Sequence, residues 1–575
     1  MIALFCGLAW ATSAYDPTTY EARFEGQEVW SQDGERQLWS AIERHRDPEA
    51  RLFTQEEFNP LTEWPATSTY SPWIADLFGS QRPSSDSFLL HIAKNEPTAT
   101  GTPVLLIPGA GDNGSRGFIL LQAYLDQQDH RPVFAITFAH PHGDVLQQAE
   151  AIADAVARIR EITGAPQVDL VAHSKGGIAA AVYVSHGAGA DWDRPDYERY
   201  GTAYRSDVRK LVLLGTPLGG IDAAYRWSSM NLLLLDPATA MGPSAWARYY
   251  PYTTGAPAFV TDMAEQDFLP DDGDLFPGQR QLLARQPDYP LPGSLPWLGS
   301  YAVQFDWYTT YEGGLGYYSF SDGIDAAIDA GGRLIERLAA RGADPGVRIY
   351  LLAGASPLMP NSTDAYLAEL YGQAFIDMAT AGTDAWAALL AHVVGDGLAS
   401  FGYAQSDVQG LVQGKMLLGE ITGPSDGLVF VSSALDTAAL TARGATVVQA
   451  DSVEVSHLDL LIASDEIGQQ LIDYAATDPL EYGWCEALGQ RYIDANPIGW
   501  VRLALSEDPV DTGDDTGIPE DDTGVPEDDT GTDDSADTGE PAPGGKTSRC
   551  SSLEPASGGL ALLLALGALT RRRRA

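Results

Sequence analysis

Cysteine is scarce in this sequence, and the few cysteines present cannot form a network of disulfides. The 575 residues include three, Cys6, Cys485 and Cys550, which lie far apart along the chain. A small secreted domain held together by disulfides has an even number of closely spaced cysteines. That class of fold is excluded, so a hydrophobic core drawn from the 44% of residues that are apolar must hold the fold together.

Positively charged residues are also few. Lysine and arginine number 35 against 79 aspartates and glutamates, which gives a formal net charge of −44. Since phosphate groups are repelled by a surface of this sign, nucleic acid is not expected as a partner. Part of the acidity is concentrated near the C-terminus, where residues 507–540 contain 15 acidic residues and no lysine or arginine.

The most informative motif is the sequence V-D-L-V-A-H-S-K-G-G at residues 168–177. An apolar run ends abruptly at a serine, and a segment rich in small residues follows. A tight strand-to-helix turn needs small residues two positions before and after its central serine, and Ala172 and Gly176 meet this need. The pattern is typical of a nucleophile elbow, so Ser174 is predicted to be catalytic. The alternative is a buried serine in an ordinary β–α turn.

Two later segments supply an acid and a base in the chain order expected after such a serine. Asp426 lies in the turn S-D-G-L-V, and His457 lies in the turn S-H-L-D, just after an apolar run. Asp436 and Asp451 are competing acids, but they lack the turn context of Asp426. In the predicted triad, the histidine takes the serine proton, and the aspartate orients the imidazole.

Five motifs in this order resemble the bacterial true lipases of the α/β-hydrolase superfamily. Besides the elbow and the acid and base turns, they are an apolar strand with its oxyanion loop at residues 103–111, and a strand with a G-T-P turn at residues 208–220. The resemblance implies an ester hydrolase, with triacylglycerol lipase as the leading assignment. A short-chain carboxylesterase and a polyester depolymerase are alternatives, as is a surface binding protein on an inactive hydrolase scaffold.

The resemblance also implies groups that support the triad. The backbone N–H groups of Ala110 and Lys175 are expected to form the oxyanion hole, and Pro108 before them removes neither donor. The chemistry requires no cofactor. A structural Ca²⁺ ion is nevertheless implied, bound by Asp407 and by Asp459, which follows the catalytic histidine by two residues. The alternative is that these two aspartates are solvated loop residues.

Apolar runs alternate with helical segments through the middle of the chain, which predicts an α/β-hydrolase fold with a mostly parallel central sheet and helices on both faces. The predicted strands are residues 88–93, 104–108, 133–138, 168–171, 208–214, 347–352 and 446–449, with a crossover helix at 146–162. The hydrolase domain is predicted to span residues 84–506. It is interrupted by an aromatic-rich cap at 221–346 and a second insert at 353–420, while residues 15–83 contain no usable motif.

Both ends of the chain are typical of targeting segments. Residues 1–14 are apolar and end in T-S-A, which predicts a secretory signal peptide, with an N-terminal core helix as the alternative. Residues 507–545 repeat D-T-G five times and predict a disordered acidic stalk. Residues 546–575 combine a cysteine, a short apolar run and a terminal cluster of four arginines, which resembles the myxobacterial C-terminal surface-sorting signal.

These ends together predict a protein that is secreted and then anchored at the cell surface or outer membrane. The expected partners are an ester or lipid substrate, a sorting protease, and the membrane that the C-terminal segment contacts. A plain tail anchor gives nearly the same location. The sequence leaves open the acyl chain length of the substrate and whether the cap is a mobile lid.

Overall fold

The structure is a computed structural model that describes residues 15–19, 39–46, 56, 58, 63–64, 74–93, 99–114, 117–222, 277–287, 324–356, 358–359, 416–417, 424–477 and 484–506. The predicted signal peptide, acidic stalk and C-terminal sorting segment lie outside these residues, as do most of the cap and most of the second insert. Within the described part of the chain, no helix has the length and apolar character needed to cross a bilayer.

The described strands and helices alternate along the chain. The strands are β1 (Tyr15–Thr19), β2 (Trp39–Arg46), β3 (Ser87–Ala93), β4 (Val104–Ile107), β5 (Val133–Phe138), β6 (Val168–His173), β7 (Val208–Leu214), β8 (Arg348–Gly354), β9 (Leu358–Met359), β10 (Met416–Leu417) and β11 (Thr446–Val453). The helices are α1 (Ile74–Phe78), α2 (Ile119–Ala123), α3 (Val145–Thr163), α4 (Ser174–Ser185), α5 (Pro195–Tyr200), α6 (Pro277–Gln281), α7 (Ile324–Ala330), α8 (Leu334–Arg341), α9 (Val431–Ala434), α10 (Ala438–Thr441), α11 (Asp465–Ala475), α12 (Trp484–Ala495) and α13 (Pro497–Leu505).

Nine of these strands form one sheet in the order β1-β2-β3-β5-β4-β6-β7-β8-β11. The strands from β5 to β11 in this order pair in parallel, whereas β1, β2 and β3 are antiparallel to their neighbours. One hydrophobic cluster packs α3, α4 and α8 against one face of the sheet, and a second packs α2, α11, α12 and α13 against the other. This is the α/β-hydrolase fold that the sequence predicts.

The predicted strand and helix positions agree closely with the structure. Each of the seven predicted strands corresponds to a sheet strand, and the predicted crossover helix is α3. Strand β11 is longer than predicted, because its C-terminal half alternates between exposed and half-buried residues at the edge of the sheet and lacks a continuous apolar run. Helix α4 is buried over its whole length from Lys175 to Ser185.

Strands β1 and β2 are the main part of the fold that the sequence does not predict. They come from residues 15–83 and extend the sheet beyond β3. Strand β2 carries the buried Glu43, whose carboxylate accepts hydrogen bonds from Arg158 of α3 at 2.8 and 2.9 Å. A charged residue such as Glu43 interrupts the apolar pattern by which a strand is predicted from sequence. Its partner, Arg158, lies far along the chain, so the sequence does not show that the two residues pair.

Helices α11 and α12 contact each other through their backbones. Gly468 and Gly489 are both buried, and they face each other at the crossing point. A Cβ atom on either glycine would overlap the carbonyl oxygen of the other. The helices therefore approach each other at a distance that only glycine permits.

Replacing Gly489 with alanine is expected to destabilise the fold. The added methyl group must push the two helices apart, and overpacking of this kind costs about 1–3 kcal/mol. Thermal unfolding followed by circular dichroism measures the effect. The control is Glu486→Ala on the exposed side of the same helix, which should change the free energy of unfolding by less than about 0.5 kcal/mol. Equal melting temperatures for the two variants would contradict the predicted contact.

Candidate active site

The predicted nucleophile lies in a strained turn at the centre of the sheet. Strand β6 ends at His173, and α4 begins at Ser174, whose φ is +51°. A non-glycine residue rarely adopts this value, and such residues are concentrated at functional sites. Ser174 is half-buried, whereas His173 and Lys175 on either side are buried. The backbone thus has the geometry of a nucleophile elbow.

Two glycines let the first turn of α4 approach its neighbours. A Cβ atom on Gly176 would overlap the carbonyl oxygen of Pro108, which follows β4. A Cβ atom on Gly177 would overlap the side chain of Thr216 in the G-T-P turn after β7. The K-G-G sequence therefore packs the elbow directly against the loops that follow both neighbouring strands.

The predicted acid and base form a buried pair. His457 Nδ1 lies 2.7 Å from Asp426 Oδ2, and the His457 backbone N–H donates to the Asp426 carbonyl at 2.9 Å. The other carboxylate oxygen accepts from the N–H groups of Leu428 and Val429, which fixes the carboxylate within its own turn. Because the carboxylate accepts the bond, Nδ1 carries the proton, and Nε2 remains an acceptor.

The competing acids have other partners. Asp451 lies on β11, and its carboxylate accepts a hydrogen bond of 2.8 Å from the indole N–H of Trp500. Asp436 accepts from the Ala438 N–H at the start of α10. The structure therefore places Asp426, and neither of these two, against the imidazole of His457.

His173 joins the elbow to the loop that carries the base. Its Nε2–H donates to the His457 carbonyl at 3.0 Å, and the two rings lie 4.5 Å apart between centroids. Burial holds the pKa of His173 well below its ordinary value, and the nearby His457 lowers it further, so His173 stays neutral. Nothing in the sequence points to this hydrogen bond.

Gly215 brings the G-T-P turn close to the acid and the base. Its φ is +52°, and a Cβ atom there would lie 3.0 Å from Asp426 Oδ2 and 3.1 Å from His457 Nδ1. A side chain at this position would press on both groups and strain the backbone. Glycine at the end of β7 therefore leaves room for the pair.

The two predicted oxyanion donors belong to segments beside the nucleophile. Ala110 lies in the loop after β4, where a Cβ atom on the preceding Gly109 would be 3.0 Å from Ser174 Cβ. Lys175 is the second residue of α4, and the first N–H groups of a helix have no acceptor within the helix. The role of these two N–H groups as an oxyanion hole stays a prediction.

Asp459, one of the two predicted calcium ligands, lies among described residues. Its carboxylate is buried and accepts a 2.7 Å hydrogen bond from the Tyr492 hydroxyl. The described residues contain no group of three or more His, Cys, Asp or Glu placed to hold a metal. Asp407 lies outside them, so the calcium site stays a prediction.

A family of lipases matches the elbow region. Residues 101–221 match the model of the class 2 lipase family. The matched segment begins just before β4 and ends after the G-T-P turn, so it includes Ser174 but neither Asp426 nor His457. Among curated proteins, none matches the chain.

Among solved structures, similarity extends to lipases and esterases. The mature form of a Bacillus licheniformis lipase has 14% identity, covers 62% of this chain and 85% of its own, and has a TM-score of 0.26. Its propeptide form has 12% identity, coverage of 64% and 49%, and a TM-score of 0.30. A Bacillus coagulans carboxyl esterase in complex with glycerol has 13% identity, coverage of 47% and 76%, and a TM-score of 0.23. At TM-scores this low, the fold assignment rests on the strand order and the elbow.

The family match, the strand order and the strained serine together identify the described domain as a serine ester hydrolase of the lipase and esterase type. The family match indicates the class of chemistry, and the strand order places the serine at the carboxyl end of a central parallel strand.

Replacing Asp426 with asparagine is expected to lower kcat by about 10⁴-fold, because the amide holds the imidazole in the wrong tautomer. The matched control is Asp451→Asn, which removes a carboxylate bound to Trp500 and should leave kcat within about twofold of the wild type. Initial rates with a p-nitrophenyl ester measure both variants after circular dichroism has shown that they are folded. A damaging Asp451→Asn together with a harmless Asp426→Asn would contradict the assignment of the acid.

Proposed function

We propose that this protein is a lipase that hydrolyses carboxylic esters, with triacylglycerols as the leading substrate class, through an acyl-enzyme formed on Ser174. One observation carries the proposal. The buried His457–Asp426 pair, at 2.7 Å, is linked by the hydrogen bond from His173 to the turn of a serine whose φ is +51° at the end of a central strand. A strained nucleophile and an oriented base are the two parts that nucleophilic catalysis by serine requires.

In the first half of the proposed reaction, the Ser174 hydroxyl oxygen attacks the ester carbonyl carbon while His457 Nε2 takes the hydroxyl proton. The carbonyl oxygen becomes an oxyanion, which accepts hydrogen bonds from the backbone N–H groups of Ala110 and Lys175. The tetrahedral intermediate then collapses. The ester C–O bond breaks, the imidazolium gives its proton to the leaving alcohol, and an acyl-serine ester remains.

In the second half, water replaces the alcohol. His457 takes a proton from the water molecule, whose oxygen attacks the acyl-serine carbonyl, and the acid product leaves as the proton returns to Ser174. Asp426 accepts a hydrogen bond from Nδ1 throughout and stabilises the imidazolium that forms in each half. Each step uses groups that belong to described segments of the chain.

The assignment to lipases in particular is supported by the acid and base turns, which resemble those of true lipases, and by the family match over residues 101–221. Residues 221–346 are proposed to form a cap over the site, and three helices, α6, α7 and α8, are described within them. Whether this cap opens at a lipid surface decides between a lipase with a lid and an esterase with a fixed cap.

The location of the protein is proposed from the ends of the sequence. Residues 1–14 support export, and residues 546–575 support anchoring at the cell surface or outer membrane after processing by a sorting protease. The acidic residues 507–545 would then separate the enzyme from its anchor, and the C-terminal segment would supply the membrane contact.

Ser174→Ala and His457→Ala are each expected to abolish ester hydrolysis while leaving the melting temperature close to that of the wild type. The assay uses p-nitrophenyl esters of graded acyl chain length with an emulsified triglyceride alongside. Folded variants that keep wild-type turnover would overturn the mechanism. A folded wild-type protein without turnover of any ester would instead favour a binding protein on an inactive scaffold.

The same assay tests the lid. If the cap is mobile, the rate should rise sharply when the substrate concentration passes from dissolved monomers to an emulsion. Smooth saturation through that concentration, together with a preference for short acyl chains, would assign the protein to the carboxylesterases.

A further inference from the structure

The Lys175 side chain is buried beneath the surface of the site although it follows the nucleophile directly. It is 1% exposed, and its ammonium group donates to Gln148 Oε1 on the first turn of α3. The amide nitrogen of Gln148 donates in turn to the His140 carbonyl at 3.0 Å. The far end of the lysine is thus held by the N-terminal end of a neighbouring helix.

Two acids accompany this lysine, the buried Asp144 and the half-buried Glu56. Asp144 caps α3 by accepting from the N–H groups of Leu146 and Gln147, and Arg194 donates to its other carboxylate oxygen at 2.6 Å. The Asp144 N–H donates to Glu56 Oε1 at 2.6 Å. Glu56 comes from the N-terminal region, in which the sequence shows no motif. A residue from that region therefore contacts the N-terminal end of α3, which also holds the Lys175 side chain.

Two glycines provide the space for these side chains. A Cβ atom on Gly278 of α6 would overlap Lys175 Cε and lie 2.8 Å from its Nζ. A Cβ atom on Gly143 would lie 2.8 Å from Glu56 Oε2. Because α6 belongs to the cap, the lysine is enclosed between the cap, the start of α3 and the segment that carries Glu56.

The charges in this cluster depend on one another. Burial raises the pKa of Glu56, and the negative charge of Asp144 raises it further. Burial lowers the pKa of Lys175, while Glu56 and Asp144 oppose that shift. The pKa of the adjacent His142 is held well below its ordinary value by burial, and the charges of His140 and Lys175 add to the effect. Removal of the Glu56 carboxylate would take away the largest of the charges that oppose the desolvation of Lys175.

We propose that Glu56 and Lys175 act together as positioning residues for the oxyanion hole. This inference rests on the proposed function, in which the Lys175 N–H is one of the two oxyanion donors. The backbone of Lys175 carries that N–H group, and the side chain of Lys175 ends in the cluster. Its ammonium group is fixed to Gln148 of α3, and Glu56 holds Asp144, the N-cap residue of that helix, so both contacts restrict the first turn of α4 and the direction of the donor. Glu56 thereby acts on the donor through the start of α3.

Lys175→Met tests the proposal, because methionine fills the same space without the charge. We expect kcat for a p-nitrophenyl ester to fall by about 10-fold or more, because a misplaced donor acts only in the transition state, while KM stays within about twofold. Glu56→Gln should lower kcat in the same way. The double variant should be no slower than the slower single variant, because both changes act on one donor.

The matched control is the Glu43–Arg158 pair, which also joins the N-terminal region to α3. Glu43→Gln and Arg158→Met should lower the melting temperature and leave kcat within about twofold. An equal fall in kcat for this control pair would show a general loosening of the fold and overturn the proposal. Unchanged kcat in both Lys175→Met and Glu56→Gln would also overturn it. If Lys175→Met does not fold, the kcat of Glu56→Gln alone tests the proposal.

Ser174→Ala separates the two levels of inference. If that variant keeps its activity, the proposed function fails, and the positioning role fails with it. If Ser174→Ala is inactive while the changes at residues 56 and 175 leave kcat unchanged, only the positioning role is overturned.

Discussion

The left-handed backbone of Ser174 is the constraint on which the rest of the site depends. A non-glycine residue at φ +51° carries a strain of about 1–3 kcal/mol, and surrounding structure must hold it there. Strand β6 lies at the middle of the sheet, and the start of α4 is pressed against the loops after β4 and β7 through Gly176 and Gly177. These contacts fix the serine and, at the same time, bring the predicted oxyanion loop and the G-T-P turn to it.

The loop that carries the base is held from two sides. On one side, His173 donates to the carbonyl of His457. On the other, Tyr492 of α12 binds Asp459 in the same loop, and α12 is itself held by its glycine contact with α11. The helical pair near the C-terminal end of the described domain thus supports the loop that carries the imidazole.

The sequence predicts the parts of the site that have a local signature. The elbow, the acid turn and the base turn each need particular residues at fixed spacing, so Ser174, Asp426 and His457 can be chosen without knowledge of the fold. The structural roles of Glu43 in strand β2 and of Glu56 cannot be predicted in this way, because their carboxylates are bound by Arg158 and by the Asp144 N–H, which lie 115 and 88 residues further along. Most residues of the predicted cap and of the predicted second insert lie outside the described ranges, so these two segments stay predictions.

The burial of α4 has a consequence for how the enzyme loses its activity on heating. Every residue from Lys175 to Ser185 is buried, so this helix has no exposed turn from which it could fray or open alone. Ser174, the first residue of this helix, can leave its strained geometry only when the central sheet itself unfolds. Thermal inactivation of the nucleophile should therefore coincide with global unfolding and follow the unfolding rate constant of the whole domain.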